Sequence, residues 1–528
     1  MRRFLLIPAL FTAAGALAWN VTTEQTMQSS VIEEFTGIHC GNCPDGHRRV
    51  AALAHANPDD VFTIAIHAGS YAKPGTGEPD YRTDVGNAIH DNYPIFGYPS
   101  AMTSRQDVGF KVVQNRADWN KSSRIICSTA SPVNLWAESA FNAETQELTV
   151  DVEAYLTANM EDPRLNVFIL QNNLMGVQSG ASGVYAHRHM LRARLTDNDF
   201  GDPLDIKEAG NYYSRKFTYT VPNDVNGIRL LPHNFEIIVF VSDGKDNIRK
   251  AVTTFPVISG QDVPFSLFTS APLIPIATSY GLDYVELYLD NYSAEDITTA
   301  KFDVTLNGEK QSIDWSGLAP AHKSTLVRVP LSGAWKSAYD SDSNRYSVVL
   351  TSANDHDGLD LSVMSGFFNS LPEHASDLKV RIHTDANFAD NRFRLMDEQG
   401  DVIQEFGPYD SQARFEENVS LEDGKVYCLE ITDKWGDGIT QGSGGIQFFD
   451  PSGRLVKDIQ DFSDYGTRYF FRASKALAVD QIESASEVVA TGYYDMSGRQ
   501  VLDPAPGIYL VRTLYSDGSV RTVKTVIK

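Results

Sequence analysis

The chain has 528 residues, with 45 Lys and Arg against 68 Asp and Glu, a net charge of −23, and four cysteines. Single hydrophobic cores stop growing at roughly 250–300 residues, so several domains are expected. So acidic a surface repels phosphate backbones and anionic lipid, which excludes nucleic acid as the expected partner, and four cysteines are too few for a disulfide scaffold, so the domains must stand on apolar cores.

The first segment, "MRRFLLIPALFTAAGALAW", has Arg2 and Arg3, an apolar run, and the small-x-small signal Ala16-Leu17-Ala18. It reads as a secretory signal peptide over residues 1–18, too short to span a bilayer. Its removal lowers the charge from −23 to −25. No cysteine near the cleavage site predicts a lipid anchor, and no later run is long and apolar enough to predict a transmembrane segment. The expected compartment is outside the cytoplasm, where disulfides persist.

From Val31 to about Ser128 strand and helix alternate. "SVIEEF" is strand-like, "CPDGHRRVAALAHAN" helical, "VFTIAIHA" an apolar strand, and Asp84 to Asn92 helical, which is α/β texture. Cys40-Gly41-Asn42-Cys43 sits where the first strand meets the first helix. Free N–H groups at a helix start stabilise a thiolate, so Cys40 is the expected nucleophile, and Cys43, one turn on, the resolving thiol. Glu34, on the strand leading in, could take the proton of Cys43. Pro99, before the short strand "SAMT", could present an edge to an extended substrate if its peptide bond is cis. Three other readings stay open for the same cysteines. They could be a locked structural disulfide, or zinc ligands with His47 and His39, though four ligands are needed; haem attachment fails because Pro44 stands where a His is required.

This stretch resembles a thioredoxin-like domain, and the resemblance implies the roles just given to Cys40, Cys43, Glu34 and Pro99, including a Cys40–Cys43 disulfide. It departs from that pattern with His39 before the first cysteine and Gly-Asn between the two.

After Ser131 the helices give way to short strands between turn residues: "ELTVDVEAYLTA", "LNVFILQNN", "FEIIVFVSDG". This reads as an immunoglobulin-like β-sandwich. In "YAHRHMLR", His187 and His189 would share one face of a strand, as two metal ligands must, or form a packed pair. An "EFTGxxCxxCP" head followed by "YxHxHxLR" is similar to the 28-kDa outer membrane protein family of Bacteroidota, over roughly residues 30–258. That resemblance implies an outer-membrane or surface setting and an adhesin or receptor role.

Two more β blocks follow, a second immunoglobulin-like sandwich at 262–370 and a block at 376–473 similar to jelly-roll or CUB-like modules. In the latter, "ITDKWGDGI" places Asp433 and Asp437 in a tight turn. With Asp450 they could bind Ca²⁺, or the segment is a plain Asp-Gly turn. Cys127 and Cys428 are expected to be buried small residues. The tail, 486–528, carries "DMSGR", "PGIYLVR" and "DGSVRTVKTVIK", with Gly507, Lys524 and Lys528 at characteristic places. It resembles a type A sorting domain of the type IX secretion system, which implies that secretion machinery and a sortase as partners.

The expected architecture is thus a multidomain α/β plus all-β chain: signal peptide 1–18, thioredoxin-like domain 30–130, sandwiches 131–258 and 262–370, jelly-roll module 376–473, sorting domain 486–528. Two functions follow. One is thiol–disulfide exchange on extracytoplasmic peptides or proteins. The other is non-enzymatic surface binding of protein or glycan through the β modules, with the first domain as scaffold. Neither requires a cofactor.

Overall fold

The computed structural model describes residues 19–274, 284–331, 342–439, 444–460, 465–475, 488–495, 500–501, 504–515 and 520–527. The signal segment 1–18, most of "DMSGR" and Lys528 lie outside them.

Strand β1 (Ser30–Thr36) leads into helix α1 (Cys43–Ala56), then β2 (Val61–His67), α2 (Asp84–Asp91), β3 (Ser100–Thr103), β4 (Val113–Gln114) and α3 (Trp119–Cys127). Strands β5 (Val133–Asn142), β6 (Glu147–Leu156) and β7 (Pro163–Gln171) follow. β1 pairs parallel with β2 and antiparallel with β3. The sheet does not stop there. Met190–Arg194 pairs with β2 through Met190 and Ala65, and continues into β7, Phe235–Asp243 and Ile248–Thr254, giving one mixed sheet of nine strands.

The reason lies in β7 and the Phe235–Asp243 strand, which are apolar on both faces. Val167, Ile169, Ile237 and Val239 pack toward the sheet containing β5 and β6, while Phe168, Leu170, Ile238 and Phe240 pack with Val31, Ile64 and Ile66. A strand with two apolar faces must be covered on both, so the parallel strands complete a larger sheet. The sheet curls until its far edge returns to the start. Ile248 N donates to Ser104 O at 2.9 Å, and Ser29 Oγ to Ala251 O at 3.2 Å. A buried ion pair locks the closure: Arg105 Nε lies 2.7 Å from Glu33 Oε2, both side chains fully buried.

This corrects the expected architecture. There is no thioredoxin-like α/β head followed by separate immunoglobulin-like and jelly-roll units. The chain is mostly strand, in many small sheets, with three α-helices among the described residues. Beyond residue 260 lie sheets of three and four strands around one core, sheets of five and four around another, and a final four-stranded sheet. The two middle cores meet at Tyr284, Met396, Cys428 and Phe470, so Cys428 is buried at a joint; Cys127 is buried beside α1.

Candidate functional site

Cys40 and Cys43 are joined in a disulfide. Their turn is held by Cys40 N donating to Gly37 O at 3.0 Å, and Pro44 in the first turn of α1 costs no hydrogen bond. Neither cysteine is exposed beyond 3 %. The loop around Gln178 covers them: Gln178 Nε2 donates to Cys40 O at 3.0 Å and to Gly37 O at 3.2 Å, and Ser179 N to Ile38 O at 2.8 Å. Gly180 lies so close that a Cβ there would stand 2.1 Å from Gly41 O, and its φ of +83° also favours glycine. Attack on a disulfide requires access to sulfur, and this loop withholds it.

Glu34 and Pro99 meet at the next turn of α1. A Cβ on Gly46 would lie 2.4 Å from Glu34 Oε1 and 2.8 Å from Pro99 Cγ, so the helix carries a notch that both residues fill. The Tyr98–Pro99 bond is cis. Glu34 is fully buried, neither carboxyl oxygen makes a hydrogen bond, the nearest imidazole being His47 with Nε2 3.9 Å from Oε1, and burial raises its pKa well above the ordinary value against the pull of Arg116. The fold therefore gathers Cys40, Cys43, Glu34 and Pro99 in one region. His39 faces outward to Glu78 at 2.9 Å.

On the other side of Glu34 opens a cavity of about 490 Å³. α1 contributes His47 and His55, β2 contributes Thr63 and His67, and the segment Tyr185–His189 and Glu236 form a second wall. Asp290, Tyr292, His322 and Ser324 close it from the following module. Six of the chain's 12 histidines line this space. Burial pushes His47 and His187 down to about 4 and His67 well below the usual range, so these rings are neutral at pH 7. His47 bridges Thr36 Oγ1 at 3.0 Å and the Tyr185 hydroxyl at 2.7 Å. Burial alone would raise Glu236, but His189, with Nδ1 2.8 Å away, holds it below the ordinary value. The strand expected to carry both His187 and His189 breaks between them: Tyr185–His187 is one strand, Met190–Arg194 another, and His189 has φ +51°. Both line the cavity, with different partners, His187 Nε2 at 3.2 Å from Val177 O.

Residues 86–255 match the outer membrane protein Omp28 family. The resemblance drawn from the sequence is thereby shown over this part of the chain, and with it the outer-membrane setting. The Omp28 match includes Tyr185–His189 and Glu236 but not the disulfide. Among the described residues no helix is long and apolar enough to cross a membrane. Similar solved structures include HBP35 of Porphyromonas gingivalis, at 18% identity and TM-score 0.37 over 58% of this chain and 99% of that one. A domain of the outer membrane lipoprotein Omp28 from the same organism has 17% identity and TM-score 0.18 over 25% and 92%. SGBP-B of the Bacteroides ovatus mixed-linkage glucan utilization locus, solved in complex with a mixed-linkage heptasaccharide, has 10% identity and TM-score 0.16 over 67% and 68%. At these TM-scores none of the three carries an argument about the whole chain. No curated protein matches it.

The acidic turn of "ITDKWGDGI" lies elsewhere and has a mechanical role. Trp435 inserts between Val50, Leu53 and Trp119, docking the 376–473 block onto α1 and α3. Asn120 Nδ2 donates to Gly436 O at 3.1 Å and Asn57 Nδ2 to Lys434 O at 3.3 Å. Asp433 and Asp437 are brought together with Asp385 and Asp390, and burial followed by the charge of Asp437 pushes Asp433 up to about 7. Positive charge comes from Arg124 of α3, 3.3 Å from Asp390 and 3.2 Å from Asp437. Asp450 belongs to a different turn, where it accepts from Ser452 N and Arg454 N, each at 3.0 Å. Among the described residues no group of three or more His, Cys, Asp or Glu is placed to hold a metal ion.

Sequence reasoning missed His47, His55, His67, Glu236, Asp290 and His322 as members of one site. Only one local signal pointed there, the histidine that ends the otherwise apolar strand "VFTIAIHA".

Proposed function

We propose that this is a non-enzymatic binding protein of the outer-membrane surface, with the disulfide-braced strands as scaffold and the β modules as walls of the ligand site. One observation carries the reading: a cavity of about 490 Å³, in the size range of small-molecule sites, whose buried lining includes polar atoms with no hydrogen-bond partner, among them both nitrogens of His67 and Oδ2 of Asp290. Buried polar atoms are normally satisfied, so these call for water or ligand. The test is a binding screen of extracellular glycans, peptides and host proteins against the full chain and its His67→Gln variant. Binding that the variant leaves unchanged refutes the cavity as the site. Deleting 376–473 is a poorer test, because it strips Trp435 from the core beside α1.

Thiol–disulfide exchange remains as a second reading, supported by the buried carboxyl of Glu34, which makes no hydrogen bond and meets α1 at Gly46, one turn beyond Cys43. Its test is turnover of a model disulfide by reduced protein against Cys40→Ser; equal turnover rules it out. The strands Gly507–Tyr515 and Val520–Ile527, with Gly507 opening the first, support the type IX sorting role of the tail. Secretion that survives removal of residues 486–528 would refute it.

A further inference from the structure

The chemistry of the cavity wall narrows the ligand class. We infer that the cavity takes an uncharged, polyhydroxylated ligand, a short neutral saccharide, held by the atoms of Thr63, His67, His187 and Asp290 that make no hydrogen bond within the chain. This deepens the proposed function and rests on the cavity being the ligand site.

Three features favour such a ligand over a charged one. First, the free groups are of mixed character. A neutral imidazole offers one N–H and one lone pair, and a hydroxyl gives one hydrogen and accepts at two positions. His67 has both ring nitrogens free, His187 has Nδ1 free, and Thr63 has Oγ1 free. Sugar hydroxyls, each both donor and acceptor, match such a set; a carboxylate or phosphate, which only accepts, does not. Second, the two carboxylates in the wall already have close neighbours. Asp290 lies 3.5 Å from His55 and 3.9 Å from Arg188, and Glu236 lies 2.8 Å from His189. An anionic ligand would meet two buried carboxylates, and a cationic one would compete with side chains already in place. Asp290 Oδ2, at 3 % exposure, still accepts no hydrogen bond, and a carboxylate oxygen is a strong acceptor for hydroxyl groups. Third, ring faces accompany the polar atoms. Tyr185 lines the cavity, as does Phe255, which is stacked on His322 with centroids 4.6 Å apart. Apolar and aromatic walls with a few placed polar groups are the usual form of a small-molecule site, and the C–H faces of a pyranose suit them.

The experiment titrates full-length protein with neutral oligosaccharides, with uronic-acid oligosaccharides and with amino-sugar oligosaccharides, at neutral pH. Wild type is compared with His67→Gln, Asp290→Asn and the near-isosteric Thr63→Val, which guards against misfolding. The expected result is binding of neutral oligosaccharides that weakens about tenfold in each variant. Cavity-dependent binding of the charged sugars alone overturns the ligand class and leaves the cavity as the site. Binding of any saccharide that all three variants leave unchanged overturns both. If no saccharide binds, the inference fails, and a peptide or protein ligand lost in His67→Gln would show that the cavity reading still holds.

Discussion

Replacing Arg105 by Met tests whether the first 258 residues are welded into one body. The guanidinium is fully buried, pairs with Glu33 on β1, donates from Nη1 to Lys245 O at 2.9 Å, and lies 5.2 and 5.6 Å from the rings of Phe200 and Phe240. It thus joins β1 to the hairpin of the two far strands. Removing one partner of a buried pair leaves the other charge uncompensated, at a cost of about 3–5 kcal/mol. For a unit of this size that is on the order of 10 °C in melting temperature. The double variant Glu33→Leu with Arg105→Met removes both charges and should recover most of the loss, since apolar replacement of a buried pair is often close to neutral. The assay is calorimetry of the full chain with hydrogen exchange read separately on β1 and on Phe235–Asp243. Both strands should lose protection together in the single variant. A loss under about 1 kcal/mol, or a loss confined to β1, would refute the account of a single closed sheet.

Further outcomes follow from the same structure. Asp433, raised from 3.8 to about 7 in the folded state, holds a proton there that the unfolded chain gives up, so stability falls as pH rises between about 4 and 7. Asp433→Asn should therefore stabilise at pH 8, by up to about 4 kcal/mol from a shift of that size, and change little at pH 4; denaturant melts giving the same difference at both pH values would contradict this. His47 and His187 have the opposite sign. Their folded values of about 4 lie below 6.5, so the unfolded chain binds protons first and stability falls on acidification from about 6.5 to 4. His187→Phe should flatten that acid limb by at most about 3 kcal/mol, and an unchanged pH–stability curve would count against the burial of this ring. The disulfide closes a loop of only four residues, so its loss in Cys40→Ala/Cys43→Ala should cost about 2 kcal/mol. In native protein the covered pair should resist alkylation after mild reductant until the Gln178 loop is loosened; immediate labelling would show that the cover is ineffective.

Local patterns foretold the individual elements well. The runs "VFTIAIHA", "LNVFILQNN" and "FEIIVFVSDG" became β2, β7 and Phe235–Asp243, and "CPDGHRRVAALAHAN" became α1. Their membership in one sheet was harder to read, because a continuous apolar run signals burial on both faces without naming the neighbours. Met190–Arg194, which bridges β2 to β7, is five residues long and carries two arginines, so its strand signal is weak. The cavity was illegible for a similar reason: its histidines come from α1, β2, the Tyr185–His189 segment and the loop at His322, brought together only by the closure of the sheet and the docking of the next module. "DKWGD" holds a packing role that its Asp and Gly spacing does not show: Trp435 docks on Val50, Leu53 and Trp119, which lie more than 300 positions earlier in the chain.

Glu34 stands where the two functional readings meet, since it lines the cavity on one side and fills the Gly46 notch beyond Cys43 on the other. Burial raises its pKa well above the ordinary value, which favours its uncharged form. Glu34→Gln keeps that size and hydrogen-bonding character and removes only the capacity to gain and lose a proton. A binding site should tolerate this change, with affinity altered less than about threefold, because the amide keeps the shape and the hydrogen-bonding reach of the carboxyl. An exchanger should not, because the proton of Cys43 loses its acceptor, and general-base removal typically slows such a step by about 10²–10⁴-fold. Measured on one preparation, ligand affinity and disulfide turnover separate the two. Affinity kept with no turnover in wild type or variant establishes the scaffold; turnover that falls with the proton acceptor while binding is unchanged would mean that the loop over Cys40 opens and that the disulfide is more than a brace.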